Sequence, residues 1–366
     1  SAYPQSEEAP VFTERTSVGL DVHARSVVAA AIDTQAGGVR TARLVPASSE
    51  VIGWVQGLPG PCAVTYEAGG SGFGLARAFA AEGIRCEVAA PSKIVRPAGD
   101  RVKTDAKDAM LLARLLRMGE IKPVRVPTVS EEAARDLVRA REDCRIELMM
   151  ARHQLSKLVL RHGHVYSGAT TWNAEHERWL RSIRLDQYGT RAAFDTYYEQ
   201  VIFTAARRRQ LDQQIQAMAA DSEFTAMVNR LCCLRGIATL TGFALAVEIA
   251  EWTRFTPTSI GAYLGLTPGE ASSGEKRTLT SITKAGNTHA RRLLIEAAWH
   301  HKPAYRPGNT ILARWNKAPG PVVAKAHQAN KRLHDRWVGF DERHKKPAIA
   351  NVAIARELAG WCHTLA

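Results

Sequence analysis

The sequence predicts a mixed α/β unit first, a long helical arm next and a mainly helical unit last. Three observations point that way. Between Ser17 and Ala89, short apolar runs alternate with turn residues, and their period changes from strand to helix after Val45. Ser130 to Arg161 and Arg191 to Ala220 are charge-rich stretches with few glycines, as long solvated helices are. From Leu231 onward, glycine-containing turns separate shorter helical patterns. The chain has 366 residues, enough at roughly 100–200 residues per domain for two or three cores. The expected divisions are an N-terminal arm over 1–16, the α/β unit over 17–125, the helical arm over 126–225 and the last unit over 226–366.

In order, Ser17 to Asp21 and Ser26 to Asp33 read as strands joined by a tight turn at His23-Ala24-Arg25, and Val39 to Val45 as a third strand after the turn Gln35-Ala36-Gly37-Gly38. Ser48 to Leu58 reads as a helix opening on a serine cap, Ala63 to Glu67 as a strand, Gly72 to Glu82 as a helix and Arg85 to Ala89 as a strand. Pro91 to Thr104 is a basic loop, and Asp105 to Met118 has leucines at helical spacing. An antiparallel meander followed by right-handed crossovers is a ribonuclease-H-like arrangement. Farther on, Leu234-Arg235-Gly236-Ile237 with Leu240-Thr241-Gly242 reads as a helix-hairpin-helix offering amides to phosphate. A short helix to Leu264, a Gly/Ser-rich loop through Gly274 and a helix from Thr288 to about His300 complete the pattern. Ala297 to Lys346 is the most basic part of the chain.

Lys+Arg number 49 and Asp+Glu 36, a net charge of +13, which favours a polyanionic partner: nucleic acid first, an anionic membrane second. No apolar run approaches the ~20 residues of a membrane helix, and Ser1 to Phe12 lacks a signal-peptide core, so a cytosolic protein is expected. The six cysteines show no C-x-x-C spacing and read as reduced, packed thiols.

Asp21 ends the first strand and Glu67 the fourth, which the topology makes parallel neighbours. Asp105 and Asp108 sit three apart on one face of the following helix. Four converging carboxylates repel unless a cation lies between them, and oxygen ligands suit Mg²⁺ or Mn²⁺. Taken singly, each acid has an ordinary use, Asp105 as a helix cap above all; it is the matched quartet that points to phosphodiester chemistry. Asp33 and Asp100 are the nearest decoys. Lys93, Arg96, Arg101, Lys103 and Lys107 surround the quartet in sequence and suit a phosphate backbone. Ser272-Ser273-Gly274-Glu275-Lys276-Arg277 joins a small serine loop to two cations, with Lys284, Arg291 and Arg292 beyond as further phosphate contacts. Alone, such a loop is usually a linker. His162-Gly163-His164 and His300-His301 lack supporting ligands and read as surface or phosphate-facing histidines, and the tryptophans as packing residues.

Gly19-Leu20-Asp21-Val22-His23, Tyr66-Glu67-Ala68-Gly69 and Lys103-Thr104-Asp105-Ala106-Lys107-Asp108-Ala109 together resemble the DEDD transposases of bacterial insertion sequences, relatives of the Piv-type invertases and known as bridge-RNA-guided recombinases. Leu234 to Ile237, Tyr263-Leu264-Gly265-Leu266-Thr267-Pro268 and the run from Ser273-Gly274 to Lys284-Ala285-Gly286-Asn287 resemble that family's second domain. The resemblance implies a RuvC-like first domain binding Mg²⁺ through Asp21, Glu67, Asp105 and Asp108, and a serine, aligned with Ser273, that becomes covalently linked to DNA. It further implies a homodimer through the helical arm, a tetramer on DNA, an active site shared between subunits, and a structured guide RNA that pairs with donor and target DNA. A bacterial cytoplasmic, nucleoid-associated enzyme follows.

Three rivals remain open at this level. A hydrolytic RuvC-like junction resolvase or nuclease would use the quartet without the serine. A sugar- or acetate-kinase-like ATPase would want a phosphate-binding glycine after Asp21, where Val22-His23 stands. A purely architectural nucleic-acid-binding protein would need none of these acids for chemistry.

Overall fold

β1 (Thr16–Val22), β2 (Val27–Asp33) and β3 (Val39–Leu44) form an antiparallel meander, and β4 (Cys62–Glu67) and β5 (Arg85–Ala89) extend it in parallel from the other side of β1. The order is β3-β2-β1-β4-β5. The computed structural model describes residues 14–95, 104–271 and 278–366. The chain divides into two compact units, Ser1–Thr128 and Val129–Ala366.

In the first unit, α1 (Ser48–Gln56) and α2 (Gly74–Ala81) cover one face of the sheet, where Val18, Leu20, Val64 and Tyr66 pack with Val55 and Phe79. α3 (Asp105–Arg117) covers the other, against Val28, Ala30, Ala63 and Ala89. Burial on both faces explains why β2 reads as an unbroken apolar run. Small residues set the depth of α3. A Cβ on Gly19 would collide with the Ala109 carbonyl oxygen and the Ala113 amide nitrogen and lie 2.9 Å from Leu112 Cβ. β3 is the exposed edge, and Arg40 and Arg43 on it discourage further pairing. α1 corrects one expectation: Ala47 occupies its cap position and makes no side-chain bond, so Ser48 is already helical.

In the second unit, α4 (Val129–Arg161) and α6 (Tyr188–Ala220) pack along each other as helices about 50 Å long. The segment between them is more regular than the sequence suggested, because α5 (Ala174–Ser182) carries Trp179, with Asn173 capping it through the His176 amide. Near their base, Ala134, Val138, Ile215 and Ala219 join the main core of the unit; farther out, Leu148, Leu155, Leu158, Phe194 and Val201 form a separate cluster. α7 (Thr225–Leu231) and α8 (Thr239–Ile249) frame the expected hairpin turn. That turn is a packing joint, which corrects the phosphate reading. Gly236, at φ +85°, abuts the Ala297 carbonyl, and the Arg235 amide donates to Asn330 Oδ1 at 2.8 Å.

α9 (Ser259–Tyr263) precedes a small antiparallel hairpin, β6 (Pro268–Glu270) and β7 (Leu279–Ile282), where the sequence suggested only a loop. α10 (Thr288–Ala298), α11 (Asn309–Trp315), α12 (Gly320–Glu342) and α13 (Pro347–Leu365) follow. The basic C-terminal stretch is therefore folded: Ala326, Ala329, Leu333 and Trp337 within it are fully buried. Trp252 is buried as well, as expected of a packing residue. The six cysteines are free thiols, four of them buried. Among the described residues, no helix is long and apolar enough to cross a membrane.

Candidate metal centre at the sheet edge

The last paired step between β1 and β4 is Leu20↔Tyr66, so Asp21 and Glu67 are the next residue on each strand. Leu20 and Tyr66 face the α1/α2 core, and strand alternation turns Asp21 and Glu67 to the α3 face, with Gly19 and Thr65. On α3, Ala109, Leu112 and Leu116 face the sheet. Asp105 lies one turn before Ala109, and Asp108 one turn before Leu112, so both extend the sheet-facing stripe toward the helix start. All four expected acids thus share one face at the C-terminal edge of two parallel strands.

The tightest grouping is three residues. Carboxylate and imidazole ligand atoms of Asp21, His23 and Asp105 lie within 4.8 Å of one another. His23 Nε2 is 3.0 Å from Asp21 Oδ2 and 3.8 Å from Asp105 Oδ1. The tight cluster does not extend to Glu67 or Asp108. Asp21 is mostly shielded, with 20% of its side chain exposed, whereas His23 and Asp105 are about half exposed, at 53% and 48%. The cluster therefore opens to solvent on one side.

Sequence reasoning gave His23 only a place in a turn. The usable signal was the spacing Asp21-Val22-His23, which puts two ligand-capable side chains on the same face at a strand end. Asp105 was expected to double as a cap. Thr104 takes that role, its hydroxyl accepting from the Lys107 amide at 3.3 Å, so Asp105 is left facing the cluster. Asp33, the decoy, is structural: Arg15 donates to both its oxygens at 3.1 and 2.8 Å, and the Gln35 and Ala36 amides also donate to it. The Arg15 hydrogen bonds and those amides hold the Asp33 carboxyl well below its ordinary range.

The donor set fits a small divalent cation. A six-coordinate ion with oxygen ligands at about 2.1 Å spans about 4.2 Å between opposite ligands, so three donors within 4.8 Å need only small rotations to converge. Two carboxylates and an imidazole suit Mn²⁺ at least as well as Mg²⁺.

The other expected contacts divide. Ser273, Lys276, Arg277 and Lys103 lie outside the described residues, as does the decoy Asp100. Lys284 is exposed, at φ +55° just after β7. Arg291 is only 8% exposed and donates to the carbonyls of Leu264 and Ala285 and to Thr288 Oγ1, so it braces the fold where a phosphate contact was expected. Arg292 pairs with Glu142 at 2.5 Å and Glu296 at 2.6 Å, and its charge is already matched. His301 corrects the surface reading: it is fully buried, and burial, reinforced by the Arg235 charge, pushes its imidazole down to about 3.

Sequence reasoning missed a second polar centre. Glu248, on otherwise apolar α8, has 1% of its side chain exposed. Arg139 grips it with two bonds of 3.2 Å, Asn287 Nδ2 donates at 2.8 Å, and His289 Nδ1 lies 3.3 Å away. Burial would raise this carboxyl, but the His289 and Arg139 hydrogen bonds, the Arg139 charge and the Asn287 bond outweigh it and bring it down to about 2. The arrangement ties α4, α8 and α10 together.

Residues 18–163 match a model of DEDD-type transposases, and residues 228–309 match a model described as the transposase IS116/IS110/IS902 family. The chain is 38% identical over 302 residues to the putative transposase y4qE of Sinorhizobium fredii, covering 82% of this chain and 74% of that protein. It is 32% identical over 288 residues to the transposase for insertion sequence element IS1533 of Leptospira borgpetersenii, covering 77% and 82%. It is 26% identical over 293 residues to the transposase for insertion sequence element IS1328 of Yersinia enterocolitica, covering 76% and 83%.

Proposed function

The chain belongs to the IS116/IS110/IS902 family of insertion-sequence transposases, enzymes that cleave and rejoin DNA, and we propose that it does so by serine attack on a phosphodiester at a divalent-metal site. The observation that carries this reading is the Asp21–His23–Asp105 cluster. Among the described residues, no lysine or arginine pairs with Asp21 or Asp105, and the group lying against both is the His23 imidazole. Glu67 and Asp108 share that face of the sheet. The sheet order and the acids at strand ends support a RuvC-like reading of the first unit.

Asp21, Glu67, Asp105 and Asp108 would hold the cation, with His23 as an added donor. Bound there, a Mg²⁺ or Mn²⁺ ion supplies Lewis-acid polarisation of the scissile phosphate. The Ser273 hydroxyl attacks phosphorus, its proton passing to solvent or a nearby base, and the bridging oxygen leaves as a free strand end. A phosphoserine-type ester results. The hydroxyl of the incoming strand then attacks the same phosphorus and releases the serine. One ester is exchanged for another at each step, so no ATP is consumed. Lys103, Lys276, Arg277 and Lys284 are the proposed backbone contacts, and the helical arm is the proposed dimer element of an assembly that becomes a tetramer on DNA. Choice of site by a structured guide RNA belongs to the same proposal.

The test is excision of a marked copy of the element that encodes this chain, read by amplification across the rejoined junction. Asp105→Asn and Ser273→Ala are both expected to abolish junctions, and only the serine variant should lose a covalent protein–DNA adduct while still binding Mn²⁺. Continued strand cutting by Ser273→Ala would establish the hydrolytic nuclease instead. Sequencing RNA that copurifies with the protein tests guidance: one defined transcript is expected, and bulk cellular RNA would overturn it.

A further inference from the structure

On the arm, away in sequence from the acidic cluster and from Ser273, Arg145, Leu148, Met149, Arg152, His153, Trp172 and Arg208 line a pocket of about 320 Å³. No carboxylate lines it. Arg152 makes no hydrogen bond or ion pair among the described residues; its guanidinium lies over the Trp172 ring, 4.8 Å from the centroid. The Nε atoms of Arg152 and Arg208 are both buried without a hydrogen-bond partner. Arg208 has one distant carboxylate, Asp212 at 3.9 Å, and that acid is already held by Arg141 at 2.7 Å. Arg145 is matched by Glu142.

Two guanidiniums thus converge from α4 and α6 with their charges largely uncompensated. Burial and the neighbouring Arg208 charge both disfavour the charged form of Arg152. A shielded cation without a counter-ion destabilises the fold that holds it, and a planar, forked guanidinium matches phosphate oxygens. Trp172 roofs the pocket from a left-handed backbone position, φ +65°, with its ring edge-on to His176.

We infer that this pocket takes a phosphate group, and that in the working enzyme the phosphate belongs to the DNA backbone. The inference rests on the chain's being a DNA transposase but not on the metal site or the serine. It makes the helical arm a DNA-tracking element.

The test uses the full chain and a fluorescent 30-base-pair duplex, with affinity measured by anisotropy across a salt series. Each phosphate neutralised contributes about 0.9 to the slope of log affinity against log salt. The variant Arg152→Gln/Arg208→Gln is expected to bind about tenfold more weakly at 100 mM salt, with a slope smaller by about 1 to 2. It should melt at or above the wild-type temperature, because repulsion is relieved. Arg152→Lys/Arg208→Lys should keep most of the slope. An unchanged slope and affinity in the glutamine variant overturns the inference while leaving the transposase reading intact. Failure of the wild type to bind the duplex at all overturns that reading instead. A lower melting temperature in the glutamine variant makes the arginines structural and also overturns the inference. Inorganic phosphate separates the two sources: if it raises the wild-type melting temperature but the DNA slopes are equal, the pocket holds free phosphate and not DNA.

Discussion

Replacing Gly19 by alanine adds one methyl group where the sheet and α3 touch. The added Cβ would overlap two backbone atoms, the Ala109 oxygen and the Ala113 nitrogen, and press on Leu112 Cβ at 2.9 Å. None of these is the end of a flexible side chain, so α3 must retreat by about 1 Å, and a gap of that size forfeits a quarter to a half of each contact it opens. Overpacking of this kind costs about 1–3 kcal/mol, and the rigid neighbours put Gly19→Ala near 3. For a unit of this size that is a fall of about 12 °C in melting temperature. The same retreat carries Asp105 away from Asp21 and His23, so Mn²⁺ affinity should drop with it. Scanning calorimetry and Mn²⁺ titration of the full chain read both effects. Gly53→Ala is the control: it sits in α1 with open space where its Cβ would go, and should stabilise by about 0.5–1 kcal/mol. A Gly19→Ala protein that melts within a degree of wild type and binds Mn²⁺ normally would refute the claim that helix depth sets the site.

Thr104→Ala removes the α3 cap; a loss of about 1 kcal/mol, faster hydrogen exchange at the Lys107 amide and weaker Mn²⁺ binding are expected, with Thr104→Asn restoring all three. Glu248→Gln leaves Arg139 without its counter-charge, and a loss of about 3 kcal/mol is expected by chemical denaturation. Because the folded-state value of Glu248 lies below its ordinary 4.5, its contribution is complete above pH 4.5 and is lost as pH falls toward 2; the glutamine variant should lack that acid limb. His301 works over a higher window. From pH 6.5 down to about 3 the unfolded chain binds a proton that the buried imidazole refuses, so stability falls with pH by up to about 1.4 kcal/mol per unit, and His301→Leu should flatten the slope. An identical slope in that variant would show that His301 opens to water.

Much of the first unit was legible because its cues are local. Alternation, turn residues and a leucine-periodic helix are enough to order β1 through α3, and a parallel β1–β4 pair then puts Asp21 beside Glu67 without any knowledge of packing. What failed was whatever depends on partners distant in sequence. Thr104 and Asp105 are equally good caps on paper, and the sheet contact of α3 decides between them. Arg291 looks like any surface cation until the carbonyls of Leu264 and Ala285, both upstream of it in the chain, are found around it. Gly236 reads as a phosphate turn, yet it is small because the end of α10 lies against it. The β6–β7 hairpin is too short to show a period.

How each charge is matched separates structural groups from functional ones more sharply than residue type does. The shielded acids Asp33, Glu142, Glu248 and Glu357 each have at least one arginine within 3.2 Å. Such pairs are self-sufficient, and binding an external ion there would mean breaking them. Asp21 and Asp105 face each other across an imidazole, with no arginine among the described residues, so their charge is best met by a cation from solution. Arg152 and Arg208 show the inverse: both have a buried Nε without a hydrogen-bond partner, and among the described residues Arg152 has no acid and Arg208 only Asp212 at 3.9 Å. If both departures were accidents of side-chain placement, adding Mn²⁺ would not protect the first unit, and DNA would protect the second no less after Arg152→Gln/Arg208→Gln. Protection of the first unit by Mn²⁺, and of the second by DNA to an extent that Arg152→Gln/Arg208→Gln diminishes, is the result this pattern requires.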